Sequence, residues 1–367
     1  MRTTHICDIM ANEELTGSVY RLTLSAGEIA AEAKPGQFVY VRCAGLDAYM
    51  RRPFGIAAVN AADGALILYY EVKGYGTALL ARYSAGSRLD VMGPLGNGFD
   101  VGILDGGSER GARASAATAR GGKEGAATAG GGIERVAIVG GGAGVFPLLF
   151  LAKTLNGMRG VSADAYLGFA DGGSVVLADE FGSLASRTVI ATDDGSAGVR
   201  GFVTEPFRDS LSNCRYDMAY ACGPEPMLRT VQRICAEFSL PAQISVEQRM
   251  GCGIGACLGC ACKVKAGGRG NISGAGPYED SGALGVYAGG CDASGEYCEG
   301  AADGVAAATR ADAAPAAETQ ADAAPAAATR ADAAPTAATR AGAEDFRYAR
   351  VCKDGPVFWA SEVIFDG

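Results

Sequence analysis

The chain has 367 residues, 49% of them hydrophobic, and its 41 acidic against 32 basic side chains give a formal net charge of −9. That length supports two or three domains with true cores, and the acidic balance excludes a nucleic-acid partner, because phosphate binding needs a basic face. The most apolar run, Val145 to Ala152, falls far short of the roughly 20 residues that span a bilayer, so no membrane partner is expected.

The N-terminal MRTTHICDIMANEEL lacks the apolar core of a signal peptide, which gives a cytoplasmic expectation. Residues 1 to about 100 then read as β-rich. The alternating runs SVYRLTLSA, GQFVYVRCA, GALILYYEVKG and SRLDVMGPLG recur at close spacing between Gly, Pro and Asp punctuation, the pattern of a small antiparallel barrel or sandwich. No helix-period segment competes before Thr77 to Tyr83. Two stretches stand out, Arg51-Arg52-Pro53-Phe54-Gly55-Ile56 and Gly74-Tyr75-Gly76-Thr77. An arginine beside a proline presents a fork of donors to a phosphate, and a glycine turn opening a helix offers backbone N–H groups, so together they can clamp a dinucleotide pyrophosphate. Taken singly, such an arginine is usually just solvated and such a turn just a turn. Gly93 to Phe99, GPLGNGF, closes the barrel and is a place for a ring system to approach the backbone. Residues 105–132 are a Gly, Ala, Ser and Arg run too poor in apolar bulk to offset its own ordering entropy, hence a flexible insertion.

Order returns with IERVAIV, the glycine turn Gly140-Gly141-Gly142-Ala143-Gly144 and the helical LLFLAKTL. Strand, glycine turn and helix is the setting in which a pyrophosphate sits against a helix N-terminus. ADAYLGFA, VVLADEF, RTVIATDD, the helical VTEPFRDSL and the strand-turn-helix DMAYACGPEPMLRTVQRICAEF follow, and alternating β and α units imply a doubly wound parallel sheet. The bland counterpart is a Rossmann-like domain for some other ligand. Cys222, Gly223 and Pro224 end a strand where ligands of such sheets bind, although buried cysteines there are commonly inert. Asp171, after the second strand, suits a ribose hydroxyl and leans toward NAD.

The most specific stretch is Ser245 to Lys263, SVEQRMGCGIGACLGCACK. Cys252, Cys257 and Cys260 stand in the C-x4-C-x2-C spacing of plant-type 2Fe-2S ferredoxins. Small residues between them let three thiolates converge on one cluster, whereas zinc sites usually present two separated C-x2-C pairs. The natural fourth ligand is Cys352 in RVCKDGPVF. Rivals are Cys262, read as a core thiol, and Cys291 and Cys298 in Gly/Ala-rich sequence. With no export signal, the twelve cysteines read as ligands and free thiols rather than disulfides. Residues 266–343 are Gly/Ala-dominated and include the decapeptide copies ADAAPAAETQ, ADAAPAAATR and ADAAPTAATR, which cannot build a solenoid core. Dense sequence with strand-like alternation resumes in FRYARVCKDGPVFWASEVIF.

RRPFGI, GGGAGVFPLL, TDDGSAGVRGFVTEPF, ACGPEPM, MGCGIGACLGCACK and VCKDGPVF together resemble the electron transfer subunits of NAD-dependent dihydroorotate dehydrogenases, in the ferredoxin reductase superfamily. The resemblance covers about 3–104, 133–265 and 344–365. It implies an FAD-binding β-barrel (1–104), a low-complexity insertion (105–132), an NAD-binding α/β domain (133–243), a 2Fe-2S module (244–265 with 344–367) and a repeat-containing insertion (266–343). It places FAD on Arg52, Pro53, Phe54, Gly55, Tyr69, Tyr70, Glu71, Gly76 and Thr77, nicotinamide contacts on Gly140, Gly141, Gly142, Gly144, Cys222, Gly223 and Pro224, and the cluster on Cys252, Cys257, Cys260 and Cys352. Gly55 departs from the pattern, since many relatives carry a Ser or Thr there that hydrogen-bonds the flavin. The implied function carries electrons from a partner subunit through the 2Fe-2S cluster and FAD to NAD+, in pyrimidine biosynthesis. That partner, an FMN-containing catalytic subunit in a heterotetramer of two plus two, oxidises dihydroorotate. A hydride carrier moves two electrons and the cluster one, so a flavin must stand between them. No base for dihydroorotate is found, and the single His5 lies outside every motif. The alternatives are a reductase subunit of an NADH-ferredoxin, sulfide or hydrogenase complex, and a redox sensor without flavin.

Overall fold

The computed structural model describes residues 4–43, 50–104, 135–266 and 346–365. The first insertion, nearly all of the second with its decapeptide copies, and Cys291 and Cys298 lie outside the described residues.

Six strands, β1 (Thr4–Glu14), β2 (Val19–Ser25), β3 (Phe38–Arg42), β4 (Arg51–Asn60), β5 (Ala65–Glu71) and β6 (Arg88–Leu95), close an antiparallel barrel in the order β1-β2-β5-β4-β3-β6. Inward-facing Leu22, Leu24, Val39, Val41, Ile56, Leu66 and Leu68 fill it, and closure leaves no open edge, which decides for barrel over sandwich. Two features depart from the sequence reading. A short helix, α1 (Gly27–Glu32), forms ahead of the expected first one and buries Ile29 and Ala30; six residues are too few to show a helical period. The second helix, α2 (Tyr75–Leu80), starts two residues before Thr77.

The parallel sheet is built from β7 (Arg135–Gly141), β8 (Ser162–Phe169), β9 (Arg187–Thr192), β10 (Val199–Arg200), β11 (Met218–Cys222) and β12 (Ala242–Ser245). Helices α3 (Val145–Asn156), α4 (Ala178–Leu184), α5 (Thr204–Asn213) and α6 (Glu225–Glu237) connect them. VVLADEF supplies most of α4 rather than a strand. The order β10-β9-β8-β7-β11-β12 reverses direction between β7 and β11, and open α/β sheets bind ligands at that switch point. Buried Gln243 of β12 ties the barrel to this sheet: its amide accepts from the Asp100 N–H at 2.8 Å and donates to the Asp100 carbonyl at 3.2 Å.

Beyond the sheet, β13 (Ala261–Lys265) is flanked by β14 (Phe346–Arg350) and β16 (Val363–Ile364) in a three-stranded sheet, while β15 (Val357–Trp359) pairs antiparallel with β12 as the seventh strand of the large one. The C-terminal segment therefore belongs to both sheets. Among the described residues no helix is long and apolar enough to cross a membrane, and every described cysteine is a free thiol.

At the edge of the sheet opposite the glycine turns, fully buried Asp164 accepts from Arg135 Nη2 at 2.6 Å and from the Tyr216 hydroxyl at 2.5 Å. A buried carboxylate without donors is costly. Tyr216→Phe should lower the unfolding free energy by about 1.5–3 kcal/mol, the worth of a hydrogen bond to a charged group, read as a lower urea midpoint at unchanged m-value.

Candidate functional site

Alternation along β4 divides the arginine pair between two tasks. Arg51 turns into the barrel wall, donating to Asp90 Oδ2 at 2.6 Å and to the Asp90 and Tyr40 carbonyls at 3.0 and 3.3 Å. Arg52 points the other way and lies over the turn before α2, where its guanidinium atoms stand 3.1 Å from the place a Gly76 side chain would begin. The two weak sequence signals thus meet, and a side chain at position 76 would press the guanidinium back by a few tenths of an ångström. The Thr77 hydroxyl closes the turn by accepting from the Gly74 N–H at 3.2 Å and donating to the Gly74 carbonyl at 3.0 Å. Pro53 is exposed and Phe54 buried beside Tyr70. Tyr70 packs inside the barrel and donates its hydroxyl to Asn12 at 3.0 Å, Tyr69 packs on Phe146 of α3, and Glu71 pairs with Lys73 at 3.0 Å. These tyrosine rings serve the cores, which leaves their backbone as the face toward a ligand. A side chain at Gly55 would begin 2.9 Å from Pro147 near the start of α3, so a larger residue has no place here without moving that helix.

Around the switch point two glycine turns press on each other. A side chain at Gly144 would run into the Cys222 carbonyl group and lie 2.5 Å from the Gly223 nitrogen, and one at Gly141 would lie 2.6 Å from Met227 Sδ and 3.2 Å from Pro224. Gly140 sits opposite Cys222 in the β7–β11 register, and Gly142 takes a positive φ of 52°. The floor between the strands is therefore bare backbone, which suits a flat ligand. The Cys222 thiol is pushed up to about 12 by burial and then by the Glu247 charge, with Ser245 opposing; it is a buried, protonated wall rather than a nucleophile. Asp171 caps the turn after β8, accepting from the Ser174 N–H at 2.9 Å.

GPLGNGF behaves differently from the expectation. The group that approaches it closely is the chain itself: Asn97 Nδ2 donates to the Asp354 carbonyl at 2.9 Å, the Asn97 N–H donates to the Gly355 carbonyl, and a side chain at Gly96 would begin 2.6 Å from Pro356. Backbone from the C-terminal segment fills the space in which a ring was expected.

That same contact seats the cysteine loop. β13 and β14 pair Ala261 with Arg350, and the Val351 N–H continues the ladder to the Cys260 carbonyl at 3.0 Å, which brings Cys352 beside Cys260. Among the described residues no three Cys, His, Asp or Glu side chains crowd one point as a single-ion site requires. The four cysteines are tied two by two instead, the Cys257 N–H donating to Cys252 Sγ at 3.4 Å and the Cys352 N–H to Cys260 Sγ at 3.5 Å. Two pairs match two irons, and four cysteines are the donor set of a 2Fe-2S cluster. Burial alone would raise Cys252, but N–H groups of Ile254, Cys257 and Ala256 converge on its sulfur and lower it to about 6. Cys352 is pushed up to about 12 by burial and by the Cys260 thiol, while the Gly255 N–H, 3.1 Å from its sulfur, pulls the other way. N–H donors aimed at sulfur are what an anionic cluster needs. Cys262 packs against the core that holds Cys260 and Cys352, and its thiol is pushed up to about 12 by burial and the nearby Cys260.

Three supporting residues were not singled out in the sequence. Arg350 donates to Asp354 Oδ2 at 2.9 Å and to the Gly255 carbonyl at 3.3 Å, clamping the return turn to the loop. Burial would raise Asp354, but the Arg350 side-chain and backbone hydrogen bonds outweigh it and hold the carboxyl below the usual range. From the barrel, the Tyr40 hydroxyl donates to the Met250 carbonyl at 2.7 Å, with the Gly251 carbonyl at 3.1 Å. A tyrosine inside the otherwise apolar run FVYV was the available signal, because a buried phenol has to find a partner.

Residues 247–273 and 337–364 match the family model for the iron-sulfur cluster binding domain of dihydroorotate dehydrogenase B. The chain is 35% identical over 257 residues to the electron transfer subunit of dihydroorotate dehydrogenase B (NAD(+)) from Desulforamulus reducens, covering 70% of this chain and 87% of that one. It is 39% identical over 246 residues to the Geobacillus kaustophilus subunit of the same name, covering 67% and 83%. Among solved structures, a chain of the NADH-dependent reduced ferredoxin-NADP oxidoreductase superposes with a TM-score of 0.57 at 27% identity, covering 72% of this chain and 84% of that one.

Gly253 has a φ of 72°, and a side chain there would begin 2.6 Å from the Tyr40 ring. Since a left-handed conformation costs an ordinary residue about 1–2 kcal/mol even without the clash, Gly253→Ala should lose most of its iron and sulfide on purification while its far-ultraviolet circular dichroism stays that of the parent.

Proposed function

The chain belongs to the family of dihydroorotate dehydrogenase B (NAD+) electron transfer subunits, and on that footing we propose which of its residues hold each redox group and which partner it serves. It is an electron transfer component of an oxidoreductase and works with a catalytic partner subunit. We assign that partner as an FMN-containing subunit that oxidises dihydroorotate, in a heterotetramer of two plus two, in the cytoplasm, in pyrimidine biosynthesis. Electrons run from it through the 2Fe-2S cluster and FAD of this chain to NAD+.

When bound, the flavin supplies the exchange between two-electron hydride chemistry and the one-electron chemistry of the cluster. Arg52 and the Gly76–Thr77 turn hold the FAD pyrophosphate, with Arg52 supplying a charge-assisted fork of donors and the turn its backbone N–H groups. Pro53, Phe54, Gly55 and the backbone of Tyr69, Tyr70 and Glu71 line the rest of that site. The bare floor of Gly140, Gly141, Gly142 and Gly144 against Cys222, Gly223 and Pro224 receives the nicotinamide nucleotide. Cys252 with Cys257 and Cys260 with Cys352 hold the two irons. Cys257 is the exposed member of the four, so it faces the side from which an outside donor approaches. The chain's share of the reaction is binding and spacing, and no side chain of its own takes a proton from dihydroorotate.

The observation that carries this reading is the meeting of Cys352 with Cys252, Cys257 and Cys260, 92 residues and more away along the chain, beside the strand that bears Arg52.

Two results should follow. Cys352→Ser should abolish the 2Fe-2S absorption and electron paramagnetic resonance signals, whereas Cys262→Ser should keep them; a cluster retained in the first would refute the ligand set. Arg52→Ala should weaken FAD binding by about ten- to a hundredfold, the loss of a hydrogen bond to a charged group, with iron content unchanged. Copurification with an FMN protein and dihydroorotate-driven reduction of NAD+ test the partner directly.

A further inference from the structure

We propose that Tyr40 is a positioning residue that fixes the cysteine loop against the flavin strand and so sets how fast electrons pass between the two sites. The inference rests on the assignment of β4 as the flavin strand and of residues 252–260 as the cluster loop.

Tyr40 lies on β3, where Val39 and Val41 point into the barrel and Phe38 and Tyr40 point out. Outward here is not toward solvent. Tyr40 is 1% exposed and packs in the same core as Cys260, Val351 and Cys352. Its cross-strand partner on β4 is Pro53, with Val41 opposite Arg52 and Val39 opposite Phe54. Residues directly opposite in an antiparallel pair have their Cβ atoms about 5 Å apart and share a face, so the ring lies alongside the flavin motif. From there it reaches the loop in two ways. Its hydroxyl donates to the carbonyls just before Cys252, and its ring fills the space against Gly253 that any side chain would take. One side chain, on the strand paired with the one assigned to FAD and on the face of its Pro53, thus reaches the backbone on either side of a proposed iron ligand.

The hydroxyl is held on two sides. Its strand is locked at the neighbouring carbonyl by Arg51, which also bonds Asp90 of β6, and the loop is locked from the far side by Arg350 on the Gly255 carbonyl. The loop is therefore gripped between a barrel residue and a C-terminal residue. Losing the ring removes the only one of these supports that comes from the flavin side among those described here. Electron transfer falls off as the two sites move apart, so a loop freed to shift against the flavin strand passes electrons more slowly.

The test compares the parent full-length chain with Tyr40→Phe, which keeps the ring, and Tyr40→Leu, which removes it. NADH is the reductant: each gives up a hydride, two electrons and one proton as NAD+ leaves, and each cluster takes one electron. Flavin bleaching and cluster reduction are followed separately, by stopped-flow absorbance and by freeze-quenched electron paramagnetic resonance, alongside flavin, iron and sulfide content. We expect both variants to keep FAD and to bleach it at the parent rate. Cluster reduction should slow severalfold in Tyr40→Leu, and Tyr40→Phe should shift the cluster's resonance signature with a smaller rate loss. Loss of the cluster with FAD retained, in either variant, also supports a positioning role. Parent-like cluster reduction and signature in both variants would overturn it, as would joint loss of FAD and cluster in both, which marks a residue needed only for the barrel. A parent chain lacking flavin or cluster signals would instead refute the underlying assignment.

Discussion

Three residues of backbone pairing, Gln243 to Ser245 against Trp359 to Val357, set the position of the last thiol. With β15 fixed on the edge of the parallel sheet and β14 fixed on β13, the six residues between them have to turn back past the cysteine loop, and Cys352 lies in that turn. The turn is then held by Arg350 and Asp354 and by Asn97 from the barrel. The ligand that completes the proposed cluster is thus placed by two sheets and an ion pair.

Close backbone contact is the second constraint. Gly55 under Pro147, Gly144 against Cys222 and Gly253 under Tyr40 are three places where a β-carbon would collide with a group from another part of the chain. The first joins the barrel to the α/β layers, the second joins the two glycine turns of the parallel sheet, and the third joins the barrel to the cysteine loop.

The barrel, the alternating sheet and the cysteine spacing were legible in the sequence because each has a local signature: period-two runs, strand-glycine-helix order and C-x4-C-x2-C. β15 was not legible as part of the large sheet, since three residues carry no period and their partner lies more than a hundred positions away. α1 was missed for the same want of length. GPLGNGF was legible as a site of close approach, but composition cannot say what approaches, and backbone does so as well as a ring. Arg52 and Gly76 were each ambiguous alone, and only the fold puts one on the other. Tyr40 was hidden in a good strand pattern, where a phenol counts as one more large residue.

The β13–β14 pairing has a last consequence. Lys265 and Phe346 stand opposite each other at one end of that ladder, so both ends of the sequence that joins them are held one strand spacing apart. Whatever lies between has to close on that spacing, and the ladder that fixes it is the one that leads Cys260 and Cys352 together.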